Sequence, residues 1–300
     1  MAGAHPVLAI DVGGTKIAAG LVEAGGRLAS WAQAETPHGM DAEQCVRRCV
    51  DWEAWSVEEW SAADRSTPEA ITDFYRTTES WAFDLLWYAY LQAEGYGVPE
   101  SVVAVRFLAR RAHGPRHLDF GSGVGVTSQL FARCGYQTDL ADISTSLLRF
   151  AEFRLSRRGE QARYLDLNDT ELEPARYDVI TALDTLAHVP DIDATAATLH
   201  ASLRPGGWLI TNFDVRPPSQ ENAWHLYDDD LGLRASVQRA GFELAGHPGE
   251  LMAYRRVDPA SSRQRALVAR DRALLTSPPR RLLRRAARQA ASTLYRLRRS

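Results

Sequence analysis

An aspartate followed by three alternating glycines restricts the fold of this chain more than any other feature. The motif is Leu118-Asp119-Phe120-Gly121-Ser122-Gly123-Val124-Gly125. The residues before it predict a short buried strand, and residues 127–134 after it predict a helix. Glycines at such a junction let the backbone approach a ligand closely, and the helix N-terminus favours groups that carry negative charge or accept N–H bonds. The motif therefore predicts a ligand-binding turn between a strand and a helix.

The carboxylate at the end of this first strand narrows the class of ligand. A glycine loop alone is shared by many nucleotide sites and is weak evidence for any one of them. Asp119 suits a ligand that bears an ammonium group, which a pyrophosphate lacks. S-adenosylmethionine has both an ammonium group and a ribose, so it is the ligand that these residues favour.

A second acid supports the same interpretation. Asp142 ends the strand-like segment 137–142, 23 residues after Asp119. In mononucleotide-binding sheets, an acid at the end of the second strand accepts hydrogen bonds from the ribose, about 20 residues beyond the loop. Further strand-like segments alternate with helical stretches, at residues 162–166, 177–183 and 208–213. This alternation predicts an α/β protein with a parallel sheet.

Residues 116–256 resemble the class I S-adenosylmethionine-dependent methyltransferases, and with the helices before them the resemblance spans about residues 52–256. It rests on five motifs in the family's order: Asp119 to Gly125, Asp142, Tyr177 to Asp191, the turn Leu203-Arg204-Pro205-Gly206-Gly207, and Ala240-Gly241-Phe242-Glu243. The resemblance implies a Rossmann-like seven-stranded sheet that is mostly parallel, with an antiparallel last strand and helices on both faces. The ligand is then expected across the carboxyl ends of the first four strands.

The resemblance implies roles for residues of the first two strand ends. Gly121, Gly123 and Gly125 would pack under the methionine and ribose parts of S-adenosylmethionine. Asp119 would support the loop and reach the cofactor's amine, directly or through water. Asp142 would hold the ribose hydroxyls.

It also implies roles for residues of the third and fourth strand ends. Asp166 would lie near the adenine amine, and Leu167 would flank the ring. Leu183 and Asp184 would line the methionine end. Two alternatives are open, since Asp166 can instead cap a loop and Asp184 can instead be the N-cap of the turn after it.

Two histidines are the candidate catalytic residues. Methyl transfer is an in-line displacement that depends mainly on alignment, and it needs a base only when the acceptor is a poor nucleophile such as a hydroxyl. His188 follows the fourth strand, and His225 lies in the connection after the fifth. Histidine titrates near neutral pH, which suits proton removal. We therefore expect O-methylation of a small-molecule or sugar hydroxyl, although His188 can also serve only to order its loop. The alternative function is a non-catalytic S-adenosylmethionine-binding module.

Residues 52–115 are expected to form a helical lid before the sheet. Thr67 and Pro68 are typical of a helix start, and apolar residues spaced by three and four follow as far as Leu91. Aromatic residues of this segment can touch the cofactor or substrate, or can belong to the core: Tyr75, Trp81 and Trp87.

The beginning of the chain resembles another family. Residues 7–22 are similar to the first phosphate-binding hairpin of sugar kinases of the repressor, open-reading-frame and kinase family, in which an acid like Asp11 positions a metal. The other parts that phosphoryl transfer requires are absent from the sequence after residue 50. We therefore interpret residues 1–51 as a fragment of such a hairpin, and a kinase activity as an unlikely alternative.

Composition limits the compartment and the metal chemistry. No apolar run approaches the ~20 residues that span a bilayer, and no signal peptide is predicted. Three cysteines give no disulfide framework, so a cytoplasmic location is expected. Cys45 and Cys49 have no Cys or His partners at metal-binding spacing, so no metal site is expected.

The end of the chain, residues 257–300, is predicted to be a basic amphipathic tail. Residues 263–300 contain 12 arginines and one acid, a net charge of +11, while the rest of the chain carries −14. Such a segment can contact an anionic membrane, bind nucleic acid, or remain solvated or docked on its own acidic domain. Peripheral membrane contact is retained as one expectation, and nucleic acid is disfavoured.

Overall fold

The computed structural model describes residues 51–93, 99–111, 114–215, 226–227 and 230–257, positions 269 and 273, and the backbone of three strands before residue 36. His225, the turn at residues 13–15, Cys45, Cys49 and most of the basic tail lie outside the described residues. Every described helix is too short or too polar to pass through a lipid bilayer.

Two antiparallel pairings build a small sheet from the first part of the chain. Its strands are β1 (Val7–Val12), β2 (Lys16–Val22) and β3 (Leu28–Glu35). β2 pairs with both neighbours, so the expected hairpin gains a third strand that the sequence did not indicate. The likeness of this segment to a kinase hairpin stays a prediction.

Seven strands form the main sheet. They are β4 (Arg116–Phe120), β5 (Gln137–Asp142), β6 (Arg163–Asp166), β7 (Tyr177–Ala182), β8 (Leu203–Thr211), β9 (Phe242–Gly246) and β10 (Met252–Arg256). Their order across the sheet is β6-β5-β4-β7-β8-β10-β9. The first five strands run parallel, and β10 is antiparallel to both β8 and β9. The expected α/β fold, with a mostly parallel sheet and an antiparallel last strand, is confirmed.

Apolar layers cover both faces of this sheet. Because successive side chains of a strand point to opposite faces, Val179 joins one buried layer and Ile180 the other. The layer of Val179 packs under α4 (Glu100–Leu108) and α5 (Val126–Arg133), and α6 (Thr145–Ser156) packs on Leu140. The layer of Ile180 packs under α7 (Ile192–Ser202) and α8 (Asp230–Arg239).

One local expectation was wrong in detail. The turn predicted at Leu203 to Gly207 belongs to strand β8, where it produces an irregular register opposite Tyr177 and Val179. Gly206 takes a φ of 75° inside it, a conformation that glycine adopts without a steric penalty.

The helical segment before the sheet consists of α1 (Trp52–Ala62), α2 (Pro68–Thr77) and α3 (Trp81–Ala93). Thr67 caps α2 as predicted, since its side chain accepts the Ala70 N–H. The helix expected to continue to Leu91 is divided at residues 78–80. The carboxylate of Glu59 on α1 stabilises this break, because it accepts hydrogen bonds from Thr78 Oγ1 at 2.7 Å and from the N–H groups of Glu79 and Ser80 at 3.1 and 3.2 Å.

Replacing Glu59 with alanine should loosen this helical segment. Three donors would lose their acceptor, and Thr78 and Ser80 are buried, so we expect the free energy of unfolding to fall by about 2 kcal/mol. Denaturant unfolding would measure the loss, and hydrogen exchange would localise it to the start of α3. Glu58→Ala on the exposed side of α1 is the matched control, and an equal loss in both variants would contradict the capping role.

Candidate functional site

The carboxyl ends of four parallel strands meet at one edge of the main sheet and bring the predicted acids together. Asp142 and Asp166 are register partners at the ends of β5 and β6. Asp119 of β4 is the register partner of Leu140 on β5 and of Thr181 on β7. Residues that are separated by almost 50 positions in the chain therefore line one continuous edge.

The glycine loop bends sharply over this edge. Gly121, Gly123 and Gly125 have φ values of 71°, 50° and 74°, which residues with a Cβ rarely adopt. A Cβ on Gly121 would lie 2.3 Å from the side chain of Thr185, and one on Gly123 would lie 3.0 Å from Leu85 of α3. The loop is thus closed in by the β7 tip and by the helical segment, and only glycine fits these positions.

Asp142 ties the loop to the end of β5. Its Oδ2 accepts the Gly123 N–H at 2.8 Å, and its Oδ1 accepts the Ser144 N–H at 2.9 Å. Burial raises the pKa of this carboxyl group, and the two N–H groups oppose that shift. A carboxylate has about four acceptor positions, so Asp142 has the capacity to accept a further hydrogen bond while it holds the loop.

Asp119 lies beneath the loop and is only 3% exposed. Its Oδ2 accepts hydrogen bonds from Ser128 N and Oγ at 3.0 and 2.7 Å, which caps the start of α5, and its Oδ1 accepts from Thr181 Oγ1 at 3.0 Å. Burial raises the pKa of Asp119 to about 6, against the effect of these donors. The carboxylate therefore anchors the loop from below, on the side away from solvent.

Asp166 is more exposed than the other two acids. Thr145 Oγ1 donates to it at 2.7 Å, and the Asn168 N–H donates at 3.0 Å, so it does bond to the loop that follows β6. Burial alone would raise its pKa, but these hydrogen bonds outweigh burial and the pKa is lowered. The Leu167 N–H donates to Asp142 O at 3.0 Å, which places Leu167 beside the end of β5.

The tip of β7 is strained and is held from the side. Asp184 has a φ of 50° although it is not glycine. Its N–H donates to Asn212 Oδ1 at 2.7 Å, and the Asn212 amide donates back to its carboxylate. The N-cap of the following 3₁₀ helix (Leu186–His188) is Thr185, so the alternative of Asp184 as that cap is wrong. Leu183 precedes this tip and packs beside the layer of Val179.

Two residues at this tip were missed by sequence reasoning. Glu100 begins α4, and Asn212 Nδ2 donates to its Oε1 at 3.1 Å. Burial and the nearby charges of Asp184 and Asp214 raise the pKa of Glu100 to about 8. No sequence pattern relates residue 100 to residues 184 and 212, so only the packing of α4 against the strand ends could reveal this cluster. Within the described part of the chain, no group of three or more His, Cys, Asp or Glu side chains is arranged to hold a metal ion.

His188 lies among aromatic rings from the helical segment. Its Nδ1 is 3.3 Å from Tyr75 Oη, and its ring is 5.8 Å from that of Trp81. Tyr75 is buried against Phe74 and Trp60, whereas Trp81 and His188 are partly exposed. The rings thus form a wall beside the β7 tip, and Trp87 lies further along α3, partly buried.

The loop fits an adenosyl amino acid. Ser122 Oγ is buried there and has no hydrogen-bond partner among the described residues. Buried hydroxyl groups normally have a partner, so this one points to a polar ligand group. Together with the narrow glycine turn and the carboxylate of Asp142 at the end of β5, it gives donors and acceptors of the kind that S-adenosylmethionine requires.

Comparison with known proteins agrees with this geometry. The family model described as "Methyltransferase domain" matches residues 100–245. The chain is 29% identical over 157 residues to a ubiquinone biosynthesis O-methyltransferase of Bordetella bronchiseptica. The aligned region covers 45% of this chain and 65% of that protein. The chain is also 36% identical over 116 residues to the protein of the same name from Burkholderia orbicola. That aligned region covers 36% of this chain and 49% of the relative. The chain thus spans less than two thirds of the length of these relatives.

One solved structure illustrates the likeness in three dimensions. An S-adenosylmethionine-dependent methyltransferase from Mesorhizobium loti is 18% identical, with a TM-score of 0.42, and the match covers 52% of this chain and 97% of that one. The fold assignment rests on the strand order described above.

Proposed function

We propose that this chain, whose residues 100–245 are a class I S-adenosylmethionine-dependent methyltransferase domain, methylates a hydroxyl group of a small molecule or sugar. The observation that carries the choice of a hydroxyl is the position of His188, which follows the β7 tip and stands beside the aromatic wall. The printed names of the relatives, which are O-methyltransferases, support the same choice for this chain.

The residues of the sheet edge would hold the cofactor in the order of its parts. Asp142 would accept the ribose hydroxyls, and Asp166 with Leu167 would lie against the adenine. The glycine loop would pack under the ribose and methionine, and Leu183 with Asp184 would border the methionine end. The support for this arrangement is the register of the strand ends and the free acceptor capacity of Asp142.

S-adenosylmethionine supplies a methyl group on a positively charged sulfur. A hydroxyl oxygen that bonds to this carbon must lose its proton as the C–S bond breaks, and His188 Nε2 is the proposed acceptor of that proton. Its Nδ1 is within hydrogen-bond distance of Tyr75 Oη, which would keep the ring in one orientation. Burial raises the pKa of Tyr75, so the phenol stays neutral throughout. The aromatic wall would exclude water and align the acceptor.

Replacing His188 with glutamine should lower the turnover number by about a hundredfold or more while the affinity for S-adenosylhomocysteine stays unchanged. General base catalysis typically contributes 10²–10⁴-fold. S-adenosylhomocysteine release would be measured against a panel of phenols, aliphatic alcohols and sugars. His200→Gln, near the opposite edge of the sheet, is the matched control and should retain full turnover.

Two other results would change the proposal. Full turnover of His188→Gln at every pH would leave His225, which lies outside the described residues, as the remaining histidine. S-adenosylmethionine binding without turnover on the whole panel would favour a non-catalytic binding module.

The cellular setting is also part of the proposal. A cytoplasmic location follows from the cysteine usage, and peripheral contact with anionic membranes follows from the arginine-rich residues 263–300. Both are supported by the sequence alone.

A further inference from the structure

A histidine is buried between β4 and α5, in a place that the proposed reaction does not use. His117 on β4 is fully buried, and its ring stacks on Phe131 of α5 with centroids 3.9 Å apart. Its Nε2 lies 2.8 Å from Thr181 Oγ1, and the same hydroxyl oxygen lies 3.0 Å from Asp119 Oδ1. Its Nδ1 lies 3.4 Å from Thr138 Oγ1. Side chains of three neighbouring strands therefore form one hydrogen-bonded chain that ends at Asp119.

The direction of this chain follows from the number of protons available. Thr181 has a single hydroxyl proton, which Asp119 and His117 would compete for if Nε2 carried none. With a proton on Nε2, His117 donates to Thr181, and the hydroxyl of Thr181 is left to donate to Asp119. The hydroxyl of Thr138 then donates to the unprotonated Nδ1 of His117. Burial lowers the pKa of His117 to about 3, so the ring is neutral and this arrangement persists at ordinary pH.

The hydrogen bond from Thr181 is one of three that favour the charge of Asp119 against the effect of burial. Around the carboxylate, α5 contributes the two donors of Ser128 and β7 contributes Thr181, and among the described residues the charge of Asp142 on β5 opposes ionisation. Once protonated, Asp119 would hold the start of α5 less firmly, and the glycine loop is continuous with that helix.

We propose that His117 is a positioning residue for cofactor binding: through Thr181 it keeps Asp119 ionised against the start of α5, and so sets the lowest pH at which the glycine loop binds its cofactor. This inference rests on the proposed function, in which that loop binds S-adenosylmethionine. It adds a residue whose role is neither contact with the cofactor nor proton transfer to the acceptor.

The test compares His117→Leu, which removes the donor, with His117→Gln, whose amide can replace the Nε2–H. Calorimetry would measure the affinity of the full chain for S-adenosylhomocysteine between pH 5 and 8. In the wild type, affinity should fall below about pH 6, where Asp119 takes up its proton. Thr181→Val removes one hydrogen bond to the buried carboxylate, which raises its pKa by about one unit, so this variant should bind about fivefold more weakly at pH 6 and within about twofold of the wild type at pH 8. His117→Leu leaves Thr181 able to donate to Asp119 but removes the donor that polarises its hydroxyl, so its affinity at pH 6 should fall by a smaller factor. His117→Gln should keep the wild-type profile.

A loss of affinity at low pH has to be distinguished from acid unfolding of the protein. Asp119 has a raised pKa in the folded state, so its own contribution to stability increases as the pH falls from about 6 towards its unfolded value. Burial of neutral His117, whose pKa is lowered to about 3, acts in the opposite direction over the same range, so thermal melting at each pH would be used to confirm that the protein is folded wherever its affinity is measured.

Variants of the two threonines test the rest of the hydrogen-bonded chain. They replace the first pair of variants if His117→Leu does not fold. The pH at which the affinity for S-adenosylhomocysteine is half-maximal should rise in Thr181→Val. It should stay at the wild-type value in Thr181→Ser and in Thr138→Val. Identical pH profiles for the leucine or valine variant and the wild type would overturn the inference. Failure of the wild type to bind S-adenosylhomocysteine at any pH would instead overturn the proposed cofactor site.

Discussion

Alanine in place of Gly121 should weaken S-adenosylmethionine binding by about a hundredfold. The φ of 71° at this position costs a residue with a Cβ about 1–2 kcal/mol of folding stability, and the loss of affinity comes from the new Cβ, which would lie 2.3 Å from Thr185. Relieving such an overlap costs about 1–3 kcal/mol more, and about 2.7 kcal/mol corresponds to a hundredfold in affinity. Thr185 Oγ1 donates to Leu183 O at 2.8 Å, so its displacement would also disturb the β7 tip, which we propose borders the methionine end of the cofactor. Calorimetry with S-adenosylmethionine is the measurement.

A second glycine gives a control for the backbone strain in this variant. Gly159 also has a φ of 71°, but a Cβ there would meet nothing within 4 Å. Gly159→Ala should therefore lose a similar amount of stability from strain and keep its affinity. Wild-type affinity in Gly121→Ala would mean that the cofactor does not depend on this loop.

Alanine in place of Asp142 should also weaken binding by about a hundredfold. The variant loses the proposed acceptor of the ribose hydroxyls, and hydrogen bonds to a charged group contribute about 1.5–3 kcal/mol each. It also leaves the N–H groups of Gly123 and Ser144 without their acceptor, which loosens the loop itself. The measurement is the affinity for S-adenosylhomocysteine and for its 2′-deoxy analogue.

The comparison of the two ligands isolates the ribose contact. The wild type should bind the deoxy analogue more weakly, whereas the Asp142 variant should not distinguish the two ligands. Asp139→Asn is the control, because Asp139 is a buried acid of the same strand that accepts from Tyr177 Oη and Arg176 Nε at 2.9 and 3.0 Å. We expect Asp139→Asn to lose stability and keep affinity; an unchanged preference for the ribose hydroxyl in Asp142→Ala would contradict the assignment.

Features that depend on neighbours in the chain could be predicted from the sequence. The glycine loop is a strand-to-helix turn with positive φ values at three positions, which glycine adopts without a steric penalty, so the residue types reveal it directly. The N-cap at Thr67 is recognisable for a similar reason, because a cap is made by residues within one turn of each other. The division of the next helix is not, because Glu59 acts on residues 78–80 from another helix.

The sequence by itself determined the alternation of strands and helices in the main sheet, the class of ligand and the acids at the strand ends, since each is encoded by local spacing. Only the tertiary structure decided which side chains share the site from distant positions: Glu100 with Asn212, Tyr75 with His188, and His117 with Thr181. Such contacts arise because parallel strands and their covering helices bring remote segments to one edge. The spacing of residues along the chain contains no record of that packing.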